Sequence, residues 1–450
     1  MSSATPRLGP LRKSVYGLGD LTVNAGLSSL AIVYASYFLP QIAELRPALA
    51  GLVPLVGRAV DAFTDPAMGR ISDHTRLRSG RRRPYFLIGA VPYGAAFALM
   101  WSDAPFDSQW ALFAYYTFAY CLLSVAMTVL SVPYLAIQPE MATGYDERTS
   151  LNTYRTVGAM TGTLVAVTIK DVAEWLGDGP TGFAMAGVLF GAGLAAPWLA
   201  VYLATFERPH FQSRKADLGI RDGFRVVARH ATFMRLTAIY IMGRISMDLA
   251  SALIVLYVTY WLGRPGDFVL VMLIFIVSAI LALPFWLRVS AGRDKAGVFV
   301  LGSVWWMISS LALLAVQPDW PRWIIYVYVP LVGVGYAVVD LMPWSMVGEV
   351  IDEDDVRTGE RREGLYNGVF MFVRKLGGAL GVFLVLGILD LAGYAKGEQQ
   401  TETARQAIRW LTAVAPAFFL GVGVLLARGY PLTREVHDGI LRVLDERGRS

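Results

Sequence analysis

Apolar stretches of roughly twenty residues, each closed by a short polar turn, recur along the whole chain, and about twenty such residues carry a helix across the hydrocarbon core of a bilayer. The pattern predicts twelve membrane-spanning helices, near 15–39, 48–71, 85–102, 109–136, 150–172, 182–206, 233–262, 267–288, 297–316, 322–347, 364–391 and 407–428. The first apolar run follows a polar, basic start, Met1 to Ser14, as a secretory signal would. It reaches Pro40 and contains Asp20 and Asn24, too long and too polar for a signal core, so it is read as a membrane helix retained in the mature protein. Glycines at Gly377, Gly378 and Gly381 form one face on which helices can approach backbone to backbone.

The pattern also repeats. Pro133-Tyr134, Glu140, the Asp146-Glu147-Arg148 run and Asn152 are echoed by Pro343-Trp344, Glu349, Glu360-Arg361 and Asn367, with the prolines 210 positions apart. The basic hairpin at 73–84 has a shorter counterpart at Arg288–Lys295. This implies two pseudo-symmetric six-helix bundles, 1–206 and 233–428, joined by a central loop, 207–232, and followed by a tail, 429–450. Repeated halves with matched loops are the architecture of secondary transporters, whose site is expected near the midplane where the repeats meet.

Composition agrees with a chain immersed in lipid. Of 450 residues, 55% are hydrophobic and 17% charged, with a mean hydropathy of +0.48, against nearly a quarter charged in soluble domains. One cysteine, Cys121, excludes a disulfide framework or a thiolate zinc site. The four histidines fall in polar connections or the tail, which argues against a histidine-ligated metal and against the nucleophile–base pairs of an enzyme. A net charge of +5 raises the question of nucleic acid, but the charges are sorted by side. The termini and even-numbered connections carry 27 Lys and Arg, the opposite connections seven. Cytoplasmic loops hold that excess, so both termini and the central loop are expected in the cytoplasm, with the chain in a plasma or inner membrane.

The second predicted helix departs from the apolar pattern, because it holds Asp61 and Asp65. Four residues apart, they share one helix face, with Thr64 beside them. A charge at membrane depth costs at least about 2.5 kcal/mol, so such groups face a bundle interior, a partner or a bound ion. The plain alternative is a structural pair with Arg58, one turn away. Yet two carboxylates against one arginine leave net negative charge, and the face is read as a cation site. Arg244 and Asp248, also four apart, are expected to pair with each other. Asp340 is a candidate for the carboxy-terminal half of a solute cavity, and Tyr34, Tyr116 and Tyr120 are candidate lining residues. The basic hairpin and the acidic run Asp352–Asp355 are expected on one side, where they are candidates for a latch between the halves.

Three stretches resemble signatures of one family: "GRAVDAFTDPAMGRISDHTRLRSGRRRPYFLIG", "VPYLAIQPEMATGYDERTSLNTYR" and "GERREGLYNGVFMFVRKLGG". They are similar to the melibiose permease-like glycoside–pentoside–hexuronide:cation symporters of the major facilitator superfamily. The resemblance implies the major facilitator fold and symport of a small solute, a sugar or glycoside first, with Na+ or H+ by alternating access. It implies cation ligands at Asp61, Thr64, Asp65 and Thr128. It places solute contacts at Asn24 and Ser131, where the family carries aspartates, with Asp20 one turn from Asn24 standing in, and at Arg155 and Lys375. The wider family includes a sodium-dependent lysophospholipid transporter, so an amphiphilic or anionic solute held by Arg155 and Lys375 is the alternative cargo. A non-transporting membrane receptor is a more distant one. No cofactor beyond the coupling cation is implied.

Overall fold

The computed structural model describes residues 8–142, 145–207, 229–359, 363–395, 397 and 399–449; the expected central loop lies mostly outside them. The chain divides into two compact units, Met1–Lys215 with Ala395–Gly397, and Ala216–Tyr394 with Glu398–Ser450. Apart from one isolated bridge, Leu77 to Gly80, the regular structure among the described residues is helical.

The first unit contains α1 (Pro10–Ser29), α2 (Pro47–His74), α3 (Pro84–Met100), α4 (Gln109–Met141), α5 (Tyr145–Val167), α6 (Ile169–Leu176), α7 (Gly179–Ala195) and α8 (Pro197–Ala204). Four of them start on proline, whose fixed φ suits the first helical turn and whose missing N–H costs nothing there. From Leu30 to Ile42 the first helix continues in a wider winding with i→i+5 bonds, such as Ala43 N–H to Phe38 O at 2.9 Å. Pro40 lies in this segment, and its lack of an N–H removes one bond of the normal ladder.

The second unit contains α9 (Ala231–Leu256), α10 (Phe268–Ser290), α11 (Lys295–Ala312), α12 (Arg322–Thr358), α13 (Glu363–Leu391) and α14 (Glu402–Ala427). The tail adds α15 (Arg434–Arg449), which packs on α12 and joins it through His437 Nε2 and Asp352 Oδ2 at 3.0 Å.

Helices cover all the stretches marked out by the apolar pattern, but they differ in composition. Among the described residues eight are long and apolar enough to span a bilayer by themselves, Pro84–Met100 is a shorter apolar helix, and the Leu376–Leu391 part of α13 is a shorter apolar stretch. α2 falls short of that standard. The reason is the charged residues it carries, Arg58, Asp61, Asp65 and Arg70. Helices that sacrifice apolarity in this way are where function is expected.

Each unit closes one end with the same contact. In the first, Glu140 at the end of α4 receives Arg81 Nη2 at 2.5 Å and Arg82 Nη1 at 2.7 Å from the turn before α3. In the second, Glu349 of α12 receives Lys295 Nζ at 2.8 Å, at the start of α11. The echo in sequence is thus an echo in charge pairing. The first unit adds a further tie: Glu207, after α8, accepts the backbone N–H groups of Arg81, Arg82 and Arg83 at 2.8–3.0 Å. Charge-assisted bonds to three consecutive donors satisfy the start of α3, where backbone N–H groups have no intrahelical partner.

Candidate functional site

On α2 the acids lie away from the exposed apolar side chains. Phe63 is 79% exposed, as a lipid-facing side chain is in a chain without its bilayer, whereas Asp61 is only 3% exposed. The acids therefore face the bundle. They meet α4, which runs in the same direction at a constant offset of 63 residues. Thr128 Oγ1 donates to Asp65 Oδ1 at 2.7 Å, and one turn away Ser124 Oγ donates to Asp61 Oδ1 in a short bond. Both hydroxyl residues are buried. The same offset brings Gly57 against the Tyr120 ring and Gly69 within van der Waals reach of Val132, 3.8 Å from a Cβ built there.

The result is a two-rung ladder of carboxylate and hydroxyl between parallel helices, flanked by glycines that permit the approach. Arg58 Nη1 lies 3.2 Å from Asp61 Oδ2, so the expected structural pair is present as well. It engages the oxygen that Ser124 leaves free, and the pair sits beside the ladder. Thr64 is half-buried, and its hydroxyl donates to Val60 O of its own helix at 3.2 Å, so its oxygen lone pairs are not used in that bond. All these donors are oxygens, the ligand type that hard cations prefer.

Gly57 shows how closely the ladder is fitted. A methyl group there would overlap the Tyr120 ring, itself 2% exposed. Gly57→Ala is expected to destabilise the protein by about 1–3 kcal/mol, the usual range for overpacking, and to weaken cation dependence by separating the rungs. Thermal unfolding in detergent checks the first effect; an unchanged transition would mean that α2 and α4 separate freely.

A second polar cluster lies in the same unit. Arg155 on α5 grips Asp20 on α1 through both oxygens, at 2.6 and 3.1 Å, and reaches Gln138 Oε1 at 2.5 Å. The Tyr134 hydroxyl lies 2.7 Å from Asp20 Oδ2 and 2.7 Å from the Tyr16 carbonyl, and its ring stacks on Tyr16 at 4.4 Å. Of the expected solute residues, Asp20 and Arg155 are therefore together. Asn24 is half-buried and donates to the Asp20 carbonyl at 2.8 Å, one turn along the same helix. Ser131 is half-buried on α4, one turn beyond Thr128, and among the described residues it does not hydrogen-bond to the Asp20–Arg155 cluster.

In the second unit, Arg244 and Asp248 form the expected pair, with Nε to Oδ2 at 3.1 Å. Asp248 fills the space beside Gly378. Asp340 is half-buried on α12, with its Oδ1 enclosed and without a hydrogen-bond partner among the described residues. Lys375 belongs to α13, and its side chain lies outside the described residues.

Sequence reading missed Ser124, Tyr16, Tyr134 and Gln138. For Ser124 a signal was present: Ser124 and Thr128 repeat the four-residue spacing of Asp61 and Asp65. The others carry no charge, and only the folded chain brings them to Asp20.

The helical architecture and the match to a transporter family define a multi-pass membrane transporter with the major facilitator fold. Residues 15–434 match the model of the MFS/sugar transport protein family, and the chain belongs to that family. An uncharacterized symporter of Synechocystis, sll1374, is 28% identical, with 97% of each chain covered. A zebrafish (Danio rerio) protein named sodium-dependent lysophosphatidylcholine symporter 1-A is 23% identical, over 89% of this chain and 82% of its own. Among solved structures, a bacterial homologue of the human lysosomal transporter Spinster superposes with a TM-score of 0.70 at 13% identity, covering 96% of this chain and 98% of that one, a likeness of fold alone. The protein is a transporter and not an enzyme.

Proposed function

We propose that the protein is a cation-coupled symporter in which Na+ binds at Asp61 and Asp65, with hydroxyl oxygens from Thr64 and Thr128, and drives uptake of a small polar solute. The observation that carries this reading is the carboxylate–hydroxyl ladder between α2 and α4. It offers a compact set of hard oxygens with negative charge, turned away from lipid, on a helix whose charges keep it short of a self-sufficient membrane span. Two relatives' names, one of a symporter and one of a sodium-dependent symporter, support coupling and favour Na+ over H+.

For the solute, Asp20 and Arg155 supply an acceptor and a donor side by side, in a pair of no net charge. Such a pair suits the hydroxyls of a neutral sugar or glycoside, each of which donates and accepts. Asn24, Ser131, Asp340 and Lys375 complete the proposed solute contacts. A lysophospholipid or other anionic amphiphile is the second reading, favoured by the name of the zebrafish relative. The excess of Lys and Arg on one set of connections supports an inner or plasma membrane location with both termini cytoplasmic.

A binding screen on purified protein, with and without Na+, separates the cargoes. The proposal expects glycosides to bind more tightly when Na+ is present. By linkage the solute then tightens Na+ binding by the same factor. Lysophospholipid binding with no glycoside response would move the assignment to the second reading. Solute binding indifferent to Na+ and to pH would remove coupling.

A further inference from the structure

We infer that Ser124 is part of the cation site, as a positioning residue that holds Asp61 in the geometry Na+ requires. The inference rests on the reading of Asp61 and Asp65 as cation ligands and adds a residue to which that reading assigned no role. Three observations converge on it.

First, Ser124 stands on the same register line as the other contacts of α2 with α4. Gly57, Asp61, Asp65 and Gly69 meet Tyr120, Ser124, Thr128 and Val132, all at an offset of 63. Ser124 is thus to Asp61 what Thr128 is to Asp65. Second, it is a buried hydroxyl at 6% exposure whose side chain bonds to the carboxylate. A serine in a helix interior commonly bonds back to its own helix, as Ser29 does to Gly26 O and as Ser251 does to Met247 O. Ser124 is directed across the helix interface instead. Third, Asp61 is held at both oxygens, Oδ1 by Ser124 and Oδ2 by Arg58 at 3.2 Å. The hydroxyl thus fixes which way Oδ1 faces at the end of the carboxylate away from the guanidinium.

The chemistry follows. A hydroxyl that donates its proton to a carboxylate still has lone pairs for a cation, so each rung presents hydroxyl and carboxylate oxygens together. Na+ needs several such oxygens around it, whereas a proton needs only one. Ser124 therefore bears on Na+ binding more than on proton binding. Groups that orient the ligands of a metal ion typically change its affinity by about 10–100-fold when removed.

The test is Na+ binding to the purified full-length protein, followed calorimetrically by titrating NaCl into N-methylglucamine buffer. Ser124→Ala is expected to raise the Na+ dissociation constant by about tenfold or more. Ser124→Thr, which keeps the hydroxyl, is expected to stay near the wild type. Ser124→Cys, nearly the same size but a poor donor, is expected to follow alanine and guards against a packing defect in the alanine variant. A merely structural serine would lower the unfolding temperature without Na+ and leave the dissociation constant of the folded fraction unchanged. Wild-type Na+ affinity in both the alanine and the cysteine variants overturns the inference. Asp65→Asn, run alongside, separates the two claims. If it loses Na+ binding while Ser124→Ala keeps it, Ser124 falls and the site stands. If Asp65→Asn also binds Na+ as the wild type does, both fall.

Discussion

Asp65→Asn abolishes cation-driven accumulation while the protein still inserts into the membrane in normal amounts: this is the expected result of the substitution with the largest effect. At a separation of about 4 Å and an effective dielectric constant near 20, one unit charge contributes about 4 kcal/mol to the binding of another. Loss of one of the two carboxylates thus lowers cation affinity by roughly a thousandfold. Asparagine keeps the size and can still accept the Thr128 hydroxyl, so the helix contact survives. Asp61→Asn is expected to abolish accumulation as well, with an added cost in stability because Arg58, 3.2 Å away, loses its counter-charge. The measurement is solute uptake into cells or vesicles under imposed Na+ and pH gradients. Undiminished dependence on both gradients in the two variants would remove the coupling claim.

The second large effect concerns Asp20 and Arg155. Arg155→Ala leaves the Asp20 carboxylate with Tyr134 as partner but without its counter-charge. Removing one member of a buried pair costs about 3–5 kcal/mol, and with side chains 19% and 13% exposed the lower end applies. The variant should unfold at a markedly lower temperature in detergent and bind solute weakly. The double variant Asp20→Asn with Arg155→Gln removes both charges, and much of the stability should return, because the penalty for a lone buried charge disappears. Solute binding should not return with it. If the double variant binds solute as the wild type does, the pair is architectural and the solute sits elsewhere.

How much of this was legible in the sequence differs from element to element. The helices were, since apolar runs of membrane length leave the backbone no other way to satisfy its hydrogen bonds in lipid. Asp61 and Asp65 were visible because charges stand out in an apolar helix, and the four-residue spacing put them on one face. The Arg244–Asp248 pair was visible for the same reason. The register of α2 against α4 was not, because it is set by Gly57 fitting the Tyr120 ring, a contact between residues 63 positions apart that no local pattern encodes. Ser124 stayed hidden behind that register. Asp20 and Arg155 were each singled out, yet their union through Tyr134 and Gln138 depends on how α1 lies along α5. The helix of the tail was also unread, since a short amphipathic segment rich in both charges resembles any exposed polar terminus.

The central claim is that a cation occupies the ladder of Asp61 and Asp65. Equilibrium binding of radioactive 22Na+ to purified protein tests it most directly, comparing the wild type with the double variant Asp61→Asn, Asp65→Asn. Saturable binding near one ion per chain in the wild type, and none in the variant, is the predicted result. Equal binding by the two proteins would place the ion somewhere else and contradict the account.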